Sequence, residues 1–372
     1  MLNLPKKITI YDKYIFSQIF MTTFVAILLF TVVWIAPEML LHTIEKMLSG
    51  EYTVGTAIKV LLYELPKILG KAFPVGLLLG SLFTFDKLSK DSELTIFRAV
   101  GLSFKRILAP VLVFSVIVTG LCFITYDKLI PKSEVYLNKL KKKNPTTQYI
   151  YTEKDKKGTP KDYVIVSKFQ NNKMERVIYL DFTPRMYDDF HGLKDIYYAS
   201  YGYPRRNKWI LRDVAHYKIS EDGIFEEIEH LNRMPILRGQ SAKNALTLMS
   251  YSTKREREIT NSDLWAYVQL LKKEKIDDEY RLMMNKYLQR YFHPFVCILL
   301  AILGVILGFS KPREQRLIGF TIAIGCIFIY YITLPFFDLL AEKGVLPPLI
   351  TAIFPLVAFA VAIVGIYKSK EI

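Results

Sequence analysis

The sequence predicts an α-helical membrane protein with six transmembrane helices and an inserted all-β domain. Apolar residues make up 51% of the 372-residue chain. They are concentrated in blocks of about twenty residues, the length of helix that crosses the hydrocarbon core of a bilayer. A long polar segment separates the third block from the fourth. Within it, Val, Ile and Tyr recur in short alternating runs, which is the pattern of half-buried strands.

Six apolar blocks qualify as membrane spans. The second is the least uniform, because Pro66, Lys67 and Lys71 lie near its start, and the sixth begins directly after Pro347-Pro348, where proline suits a helix start. The three cysteines, Cys122, Cys297 and Cys326, lie inside these blocks and are predicted to be small buried side chains rather than disulfide partners. The six predicted spans are residues 14–36, 65–85, 107–126, 292–309, 317–340 and 349–367.

The distribution of Lys and Arg predicts the orientation. Thirteen of them lie in the two chain ends and the loops after spans two and four, whereas the loops on the other side contribute Lys46 and Lys343. Loops rich in Lys and Arg remain in the cytoplasm. Both termini are therefore predicted to be cytoplasmic, and the polar middle of the chain, roughly residues 128–290, is predicted to lie on the outer side of the membrane.

Strand and turn signals in the polar middle predict a sandwich or an open roll. Three turns are predicted, at residues 170–172, 203–204 and 221–223. After the strands, Asn261-Ser262 is predicted to cap an amphipathic helix that runs from Asp263 into span four. The predicted strands are residues 162–168, 175–183, 195–201, 209–212 and 215–220.

These signals divide the chain into three parts. Residues 1–127 contain spans one to three, residues 128–260 form the outer β domain, and residues 261–372 contain the linking helix and spans four to six. From residue 128 to residue 290 there are 32 Lys and Arg against 22 Asp and Glu. Such a basic domain attracts phosphorylated lipid, anionic polysaccharide or a membrane surface. Solubility and anchoring beside the membrane are equally good explanations, and nucleic acid is disfavoured because no recognition motif is present.

No enzyme active site is predicted. The chain lacks G-x-x-x-x-G-K-[ST], G-x-S-x-G, H-E-x-x-H and G-x-G-x-x-G, so we expect it to bind no ATP or other cofactor itself. Its five histidines share no metal-ligand spacing. His216 and His230 could meet on adjacent strands, although surface positions are the simpler expectation, and His293 is expected to cap or pack at a membrane boundary.

The loop after span two carries the most specific signal. Ser89 or Asp91 can cap a short helix, and Gly101 permits the left-handed conformation that ends one. Leu94, Phe97 and Arg98 recur at helical spacing. Residues 89–103 are therefore predicted to form a short amphipathic helix that a cytoplasmic partner can grip. A plain interfacial turn remains the alternative.

Several segments, among them FPVGLLLG (73–80) and LSKDSEL (88–94) around span two and the loop after it, together resemble the LptF/LptG permease family, also called YjgP/YjgQ. The resemblance extends over the whole chain and includes the order of three spans, an outer β domain and three further spans. The segments that carry it are YDKYI (11–15), LP (65–66), FPVGLLLG (73–80), LSKDSEL (88–94), RAVGLS (98–103), YFHP (291–294) and RLIG (316–319).

The resemblance implies a permease subunit of the ABC transporter that exports lipopolysaccharide from the inner membrane. ATP and Mg²⁺ would be used by two copies of a separate LptB-like ATPase. The implied partners are that ATPase, a second LptF/LptG-type subunit (a paralogue or another copy of this chain), and the periplasmic bridge proteins LptC and LptA. Lipopolysaccharide would enter through a lateral opening and pass to a periplasmic β-jellyroll.

The resemblance also implies residue roles. Its coupling helix matches residues 89–103, with Glu93 as the acidic contact to the ATPase. The predicted coupling residues are Ser89, Asp91, Ser92, Glu93, Leu94, Phe97, Arg98 and Gly101.

The predicted lipid path begins with Lys46, near the outer end of span one, and with span two. Glu64, Lys67 and Lys71 recur at i, i+3 and i+7, so they share one helix face. Glu64 and Lys67 could form an ion pair. Lys67 and Lys71 could instead meet lipid phosphates, and extension of both lysines to the membrane surface is the alternative.

In the β domain, the predicted lipid path follows the inner face of an open jellyroll. Val164, Val166, Val177 and Tyr179 are predicted to face inward, with Ile165 and Ile178 outward. A closed sandwich filled by side chains is the structural alternative. At the level of the whole protein, a membrane sensor or scaffold is the alternative function. It is disfavoured because no kinase, cyclase or DNA-binding segment follows the spans.

Overall fold

The chain forms two compact units. The computed structural model describes residues 9–35, 39–141, 147–154, 160–184, 191–205, 208–219, 225–309 and 316–369. The first unit comprises residues 1–141, 260–268 and 275–372, and the second comprises residues 142–259 and 269–274. The first is helical, and the second contains the sheet. The predicted turn at 221–223 and the basic loop at 311–313 lie outside the described residues.

Among the described residues, six helices of the first unit are long and apolar enough to cross a membrane, which agrees with the predicted number. Apolar side chains of the first, fifth and sixth remain exposed, including Phe24, Phe328 and Val361, as expected of helices that face lipid or another membrane protein. The helices of the chain are α1 (Ile10–Ile35), α2 (Leu41–Leu48), α3 (Val54–Lys90), α4 (Glu93–Ala99), α5 (Phe104–Ile124), α6 (Ile130–Leu140), α7 (Gln240–Ser252), α8 (Asn261–Lys273), α9 (Asp277–Phe292), α10 (Val296–Gly308), α11 (Arg316–Glu342) and α12 (Pro348–Ser369).

Three of the spans are longer than their apolar blocks. Span two is the 37-residue α3, which continues through Pro66 and Pro74. A π-helical turn at Thr125–Leu129 connects α5 to α6 within one span. A 3₁₀-helical turn at His293–Phe295 connects α9 to α10 in the same way. The predicted linking helix is broken where Lys275 adopts a positive φ of 55°, so it forms two helices, α8 and α9. The backbone amide of Asp263 donates to the hydroxyl of Thr260, so Thr260, rather than Asn261 or Ser262, caps α8.

Helix α3 lies between α1 and α10, and small residues allow both close approaches. Gly76 and Gly80 of α3 face α1, where a Cβ on Gly80 would lie 2.6 Å from the Cα of Thr23. Gly304 and Gly308 of α10 face the other side of α3. A Cβ on Gly304 would lie 2.5 Å from the Leu78 carbonyl oxygen. Each pair has the G-x-x-x-G spacing, so span two is packed backbone-to-backbone on two sides.

A polar network joins α9, α11 and α12. The Asp338 carboxylate accepts hydrogen bonds from Asn285 Nδ2 and Gln289 Nε2, each at 2.8 Å, and forms an ion pair with Lys286. Thr351 of α12 donates to Asn285 Oδ1 at 2.9 Å. Polar side chains within spans stabilise helix contacts when they satisfy one another, so this network fixes the three helices together.

The second unit contains one six-stranded antiparallel sheet, which confirms the predicted inserted β domain. Its strands pair in sequence order from β1 to β6. Asn171 and Asn172 adopt φ values of 51° and 59° in the hairpin between β2 and β3, as the predicted turn requires. The strands are β1 (Thr147–Lys154), β2 (Pro160–Gln170), β3 (Lys173–Pro184), β4 (His191–Arg205), β5 (Lys208–Ile219) and β6 (Phe225–Arg238).

The strand predictions were incomplete in three respects. β1 and β6 were missed. The predicted strands 209–212 and 215–220 form the single strand β5, which continues through Asp213 although that residue has a φ of 53°. The predicted turn at Tyr203-Pro204 lies inside β4, opposite Trp209 and Ile210 of β5.

The regular alternation of buried and exposed residues along the strands is interrupted at one row that crosses the sheet. On β3, Met174 and Val177 are both buried; on β5, Leu211 and Val214 are both buried, so the spacing there is three rather than two. The same spacing separates buried Val166 from Phe169 on β2 and Ala199 from Gly202 on β4. The row between them includes Arg176 and Asp213, both with φ of 53°, and the Ser200 hydroxyl donates to Asp213 Oδ2 at 2.6 Å.

Helix α7 packs on one part of this sheet. It contacts β1, β5 and β6, and the Trp209 Nε1–H donates to the Ala242 carbonyl oxygen at 3.1 Å. Trp209, Leu211, Ala245 and Leu248 are all fully buried. The indole therefore satisfies its polar atom while it fills the core between helix and sheet.

Candidate functional site

Helix α4 lies where α3 ends and α5 begins. We call this end of the bundle, with the start of α1 and the end of α12, the terminal side. Asp91 ends α3, and Ser92 reverses the chain with a φ of 60°. Gly101 has a φ of 91° and its amide donates to the Arg98 carbonyl oxygen at 2.9 Å. The left-handed glycine predicted at the end of the short helix is therefore confirmed.

The inner face of α4 is held by the bundle. The Tyr14 hydroxyl of α1 lies 3.0 and 2.9 Å from the two Glu93 carboxylate oxygens, to which it donates. Leu94 is 5% exposed and packs with Ile15 and Phe85 in the main core of the first unit. The Phe97 ring meets the Tyr11 ring edge to face, with centroids 4.9 Å apart. These contacts anchor α4 to the membrane helices.

The outer face of α4 is exposed and partly apolar. Ile96 and Val100, one helical turn apart, are 59% and 78% exposed. Thr95, Arg98 and Ala99 are exposed beside them. Ile96 and Val100 were not among the predicted coupling residues, although their i, i+4 spacing away from the Leu94 face is the signal that identifies them.

The predicted coupling residues thus occupy two environments. Glu93, Leu94 and Phe97 turn toward the bundle, as described above. Ser89 does not cap α4: it belongs to the last turn of α3, is buried, and donates from Oγ to the Gly308 carbonyl oxygen at 3.1 Å. The remaining four, Asp91, Ser92, Arg98 and Gly101, are exposed.

A second site of interest is a cavity of about 200 Å³ in the first unit. Lys67 and Lys71 both line it, which confirms that they share one face of α3. Lys141 enters from beyond α6 and places its Nζ 2.5 Å from Glu64 Oε1, both side chains being largely buried. The cavity is lined by Met39, His42, Thr43, Tyr52, Val60, Glu64, Lys67, Ile68, Lys71 and Lys141.

The charges of this cavity differ from the predicted arrangement in two ways. The ion pair in the structure joins Glu64 to Lys141, not Glu64 to Lys67. Lys46 does not line the cavity and instead pairs with Glu51 at 2.7 Å. Three lysines against one glutamate leave the lining positive, so the cavity favours an anion. His42 and Lys141 were not selected as lining residues, because the fold brings them there from distant parts of the sequence.

The inner face of the sheet contains the four predicted residues. Val164 pairs with Tyr179 and Val166 with Val177 in the register of β2 and β3, which confirms that they share one face. The three valines are fully buried, whereas Tyr179 is half-buried. Ile165 and Ile178 pair with each other on the opposite face.

Beyond the valines, the inner face becomes polar. The Tyr197 ring stacks on His216 with centroids 4.3 Å apart, and His216 Nε2 lies 2.9 Å from Asp195 Oδ1. Burial, reinforced by the nearby charge of Asp195, raises the pKa of Tyr197 to about 12. The phenol therefore remains a neutral hydrogen-bonding group at physiological pH.

The histidines do not form a shared site in the described residues. His216 pairs with Glu229, and His230 pairs with Ala215, so the two histidines face opposite sides of the sheet. His293 packs, as expected: its Nδ1 lies 2.6 Å from the Tyr330 hydroxyl. Among the described residues, no group of three or more His, Cys, Asp or Glu has the geometry to hold a metal ion.

The architecture by itself defines the class of protein to which the chain belongs. Six membrane-spanning helices with a sheet inserted between the third and fourth describe a multi-pass membrane protein. A family model described as lipopolysaccharide export system permease LptF/LptG matches residues 13–369. The chain therefore belongs to the LptF/LptG permease family, whose members are transport subunits of the inner membrane rather than enzymes. No curated protein matches the chain in a sequence comparison.

Proposed function

We propose that this chain is a transmembrane subunit of the ABC transporter that extracts lipopolysaccharide from the inner membrane and passes it to a periplasmic bridge. A separate ATPase dimer, related to LptB, binds ATP and Mg²⁺ and docks on α4. A second LptF/LptG-type subunit completes the membrane part. The observation that carries the proposal is the division of α4 into an anchored inner face and an exposed outer face.

The proposed orientation places the terminal side of the bundle in the cytoplasm. The excess of Lys and Arg on that side supports it. Single-cysteine labelling tests it at Ser92, beside α4, and at Asn172, in the β2–β3 hairpin. Labelling of Asn172 but not Ser92 by an impermeant reagent in cells with a permeabilised outer membrane is expected. The reverse pattern would refute the orientation.

The outer face of α4 supplies the proposed ATPase contact. Ile96 and Val100 fit an apolar groove, and Arg98 beside them fits an acidic rim. Because Tyr14 binds the Glu93 carboxylate, we assign Glu93 the task of holding α4 in place. The Glu93 carboxylate can still accept a hydrogen bond from a basic group of the ATPase, because a carboxylate accepts several donors at once.

Copurification of an ATPase tests the docking. Val100→Asp places a charge in the proposed apolar contact and should weaken the complex by at least about 2 kcal/mol, roughly 30-fold. Val345→Asp is the matched control, since Val345 is 64% exposed in the turn after α11. Equal ATPase binding by both variants would contradict the docking surface. Absence of any copurifying ATPase from the unchanged protein would favour the sensor or scaffold alternative.

The positive cavity is the proposed phosphate contact of the lipid. Lys67 and Lys71 face it from α3, and lysine is a common ligand of phosphate groups. A photo-crosslinker in place of Tyr52, which also lines the cavity, should capture lipopolysaccharide. Lys67→Gln with Lys71→Gln should weaken that capture about tenfold or more, as for lost charge-assisted bonds. Lys59→Gln is the control, because Lys59 is exposed on the same helix and does not line the cavity. Equal capture by both proteins would contradict this contact.

The β domain is the proposed exit path. β1 and β6 are the ends of the strand order, and such edges accept an added strand from an LptC/LptA-like partner. Acyl chains would then follow the inner face. A photo-crosslinker at Tyr179 should label lipid, whereas one at the neighbouring Ile178 should not. Equal labelling would contradict the path and favour a closed, side-chain-filled sandwich.

A further inference from the structure

The first turn of α1 is tied to the start of α5 by a bidentate ion pair. Arg106 donates from Nη1 to Asp12 Oδ1 at 2.6 Å and from Nη2 to Asp12 Oδ2 at 2.7 Å. Its Nη2 also donates to the Thr9 hydroxyl at 3.1 Å. The Arg106 and Asp12 side chains are 18% and 16% exposed. Parallel hydrogen bonds to a carboxylate fix orientation as well as distance, so this contact resists rotation of one helix against the other.

The same turn of α1 also reaches α4. The Tyr11 ring meets the Phe97 ring edge to face, and the Tyr11 hydroxyl donates to the Ile107 carbonyl oxygen at 3.3 Å. Tyr14, three residues further along, donates to Glu93. Contacts at positions 11 and 14 fall on one face of a helix. That face of α1 therefore contacts α4, through Glu93 and Phe97, and the start of α5, through Ile107.

These contacts define a route for mechanical force. The inner face of α4 contacts α1, while its outer face is exposed, so a docked partner could displace α4. Helix α1 is a continuous 26-residue helix that packs chiefly against α3 and α5, and much of its remaining surface is exposed. A displacement of α4 is thus delivered to the first turn of α1 before it reaches α11 or α12.

We propose that Asp12, Tyr14 and Arg106 are positioning residues that transmit movement of α4 to span one, and so couple ATP hydrolysis to lipid extraction. This inference rests on the proposed function. None of the three residues touches the lipid or the ATPase. Each acts by fixing the angle between α1 and the α4–α5 segment.

The test compares hydrolysis with transport in the complete complex. The chain, its partner subunit and the copurified ATPase are reconstituted in liposomes that contain lipopolysaccharide, and ATP turnover and lipid extraction are measured together. Tyr14→Phe removes a single oxygen atom, and Asp12→Asn keeps the shape of the side chain but removes its charge. In each, extraction per ATP should fall about tenfold, the size of a typical coupling free energy, while the ATPase rate stays within about twofold.

Controls separate positioning from folding. Lys13→Gln alters an exposed neighbour on α1 and should leave extraction per ATP unchanged. Exchanging the charges by Asp12→Arg with Arg106→Asp should restore at least part of the extraction lost in Asp12→Arg alone, as coupled residues do in a double-mutant cycle. If Asp12→Asn fails to fold, Tyr14→Phe decides the question.

The outcomes distinguish the inference from the function on which it rests. If the unchanged complex neither binds an ATPase nor extracts lipid, the proposed function fails. If the unchanged complex works and Tyr14→Phe extracts as much lipid per ATP as Lys13→Gln, the positioning role is refuted. A parallel fall of ATPase rate, extraction and thermal stability would also refute it, because that pattern belongs to a purely structural contact.

Discussion

Replacement of Gly304 by alanine examines the close approach of α10 to the backbone of α3. The added Cβ would lie 2.5 Å from the Leu78 carbonyl oxygen, 2.8 Å from Ser81 Cβ and 3.0 Å from the Leu82 amide nitrogen. Ordinary contacts begin at 3.4 Å, so the carbonyl contact is too short by about 0.9 Å. Two of the three atoms belong to the backbone of α3 and cannot rotate away.

The expected cost follows from that shortfall. Helices α3 and α10 must separate, and a gap of about 0.5–1 Å forfeits a quarter to a half of each dispersion contact along the interface. Overpacking of this kind costs about 1–3 kcal/mol. Alanine also favours the helix by up to about 1 kcal/mol relative to glycine. The cost of the clash must therefore be measured against a second Gly→Ala substitution, at a helical glycine where the added methyl group meets no neighbour.

Gly120 of α5 provides that reference, since its Cβ would meet no atom within 4 Å. The free energy of unfolding in detergent micelles is measured for both alanine variants by denaturant titration. Gly304→Ala should be less stable than Gly120→Ala by about 1–3 kcal/mol. Equal stabilities, within about 0.5 kcal/mol, would show that the two helices do not pack at this distance.

Three further outcomes are expected. Asp338→Ala removes the counter-charge of largely buried Lys286 and should cost about 3–5 kcal/mol; Asp338→Asn should cost less, and denaturant titration compares them. Trp209→Phe removes the bond to the Ala242 carbonyl and should lower the protection of β5 amides from hydrogen exchange by about 1–3 kcal/mol. Since the pKa of Tyr197 rises from 10.0 to about 12 on folding, its contribution to stability is complete below pH 10 and is lost toward pH 12. Tyr197→Phe should remove that part of the pH dependence measured by thermal unfolding.

Hydropathy was sufficient to predict the six spans but not their lengths. A bilayer requires apolar side chains only across its hydrocarbon core, whereas the helix continues as long as its backbone hydrogen bonds can form. Helix α3 therefore extends from Val54 past Lys59 to Lys90. Pro66 and Pro74 do not end it, because neighbouring helices can support the freed backbone groups.

Alternation predicted the inner face of β2 and β3 correctly because it is a local property of a strand. It failed at Asp213, where a polar residue between two short runs indicated a break. Pairing with β4 and the bond from Ser200 hold the strand together there. Such support comes from another strand and cannot be detected within the run itself.

The candidate sites were predictable by position but not by partner. Residues 89–103 were selected correctly as the location of a short helix, yet Tyr14 binds Glu93 across 79 residues of sequence. Lys141 likewise meets Glu64 across 77 residues. Periodicity reports which side chains share a face; which distant side chain meets that face depends on packing.

The row of residues that includes Arg176 and Asp213 makes the sheet sensitive to the number of residues in each strand, much as a coding sequence is sensitive to its reading frame. On one side of this row the odd-numbered residues of a strand are buried, and on the other side the even-numbered ones are, or the reverse. Neighbouring strands change at the same row. Deleting Asp213 would shift one side of β5 by one residue against β4 and β6, so that Leu211 would move into the outward-facing position that Arg212 now occupies. An insertion or deletion within a strand of this sheet should therefore misplace every side chain on one side of it, whereas the hairpins can absorb one.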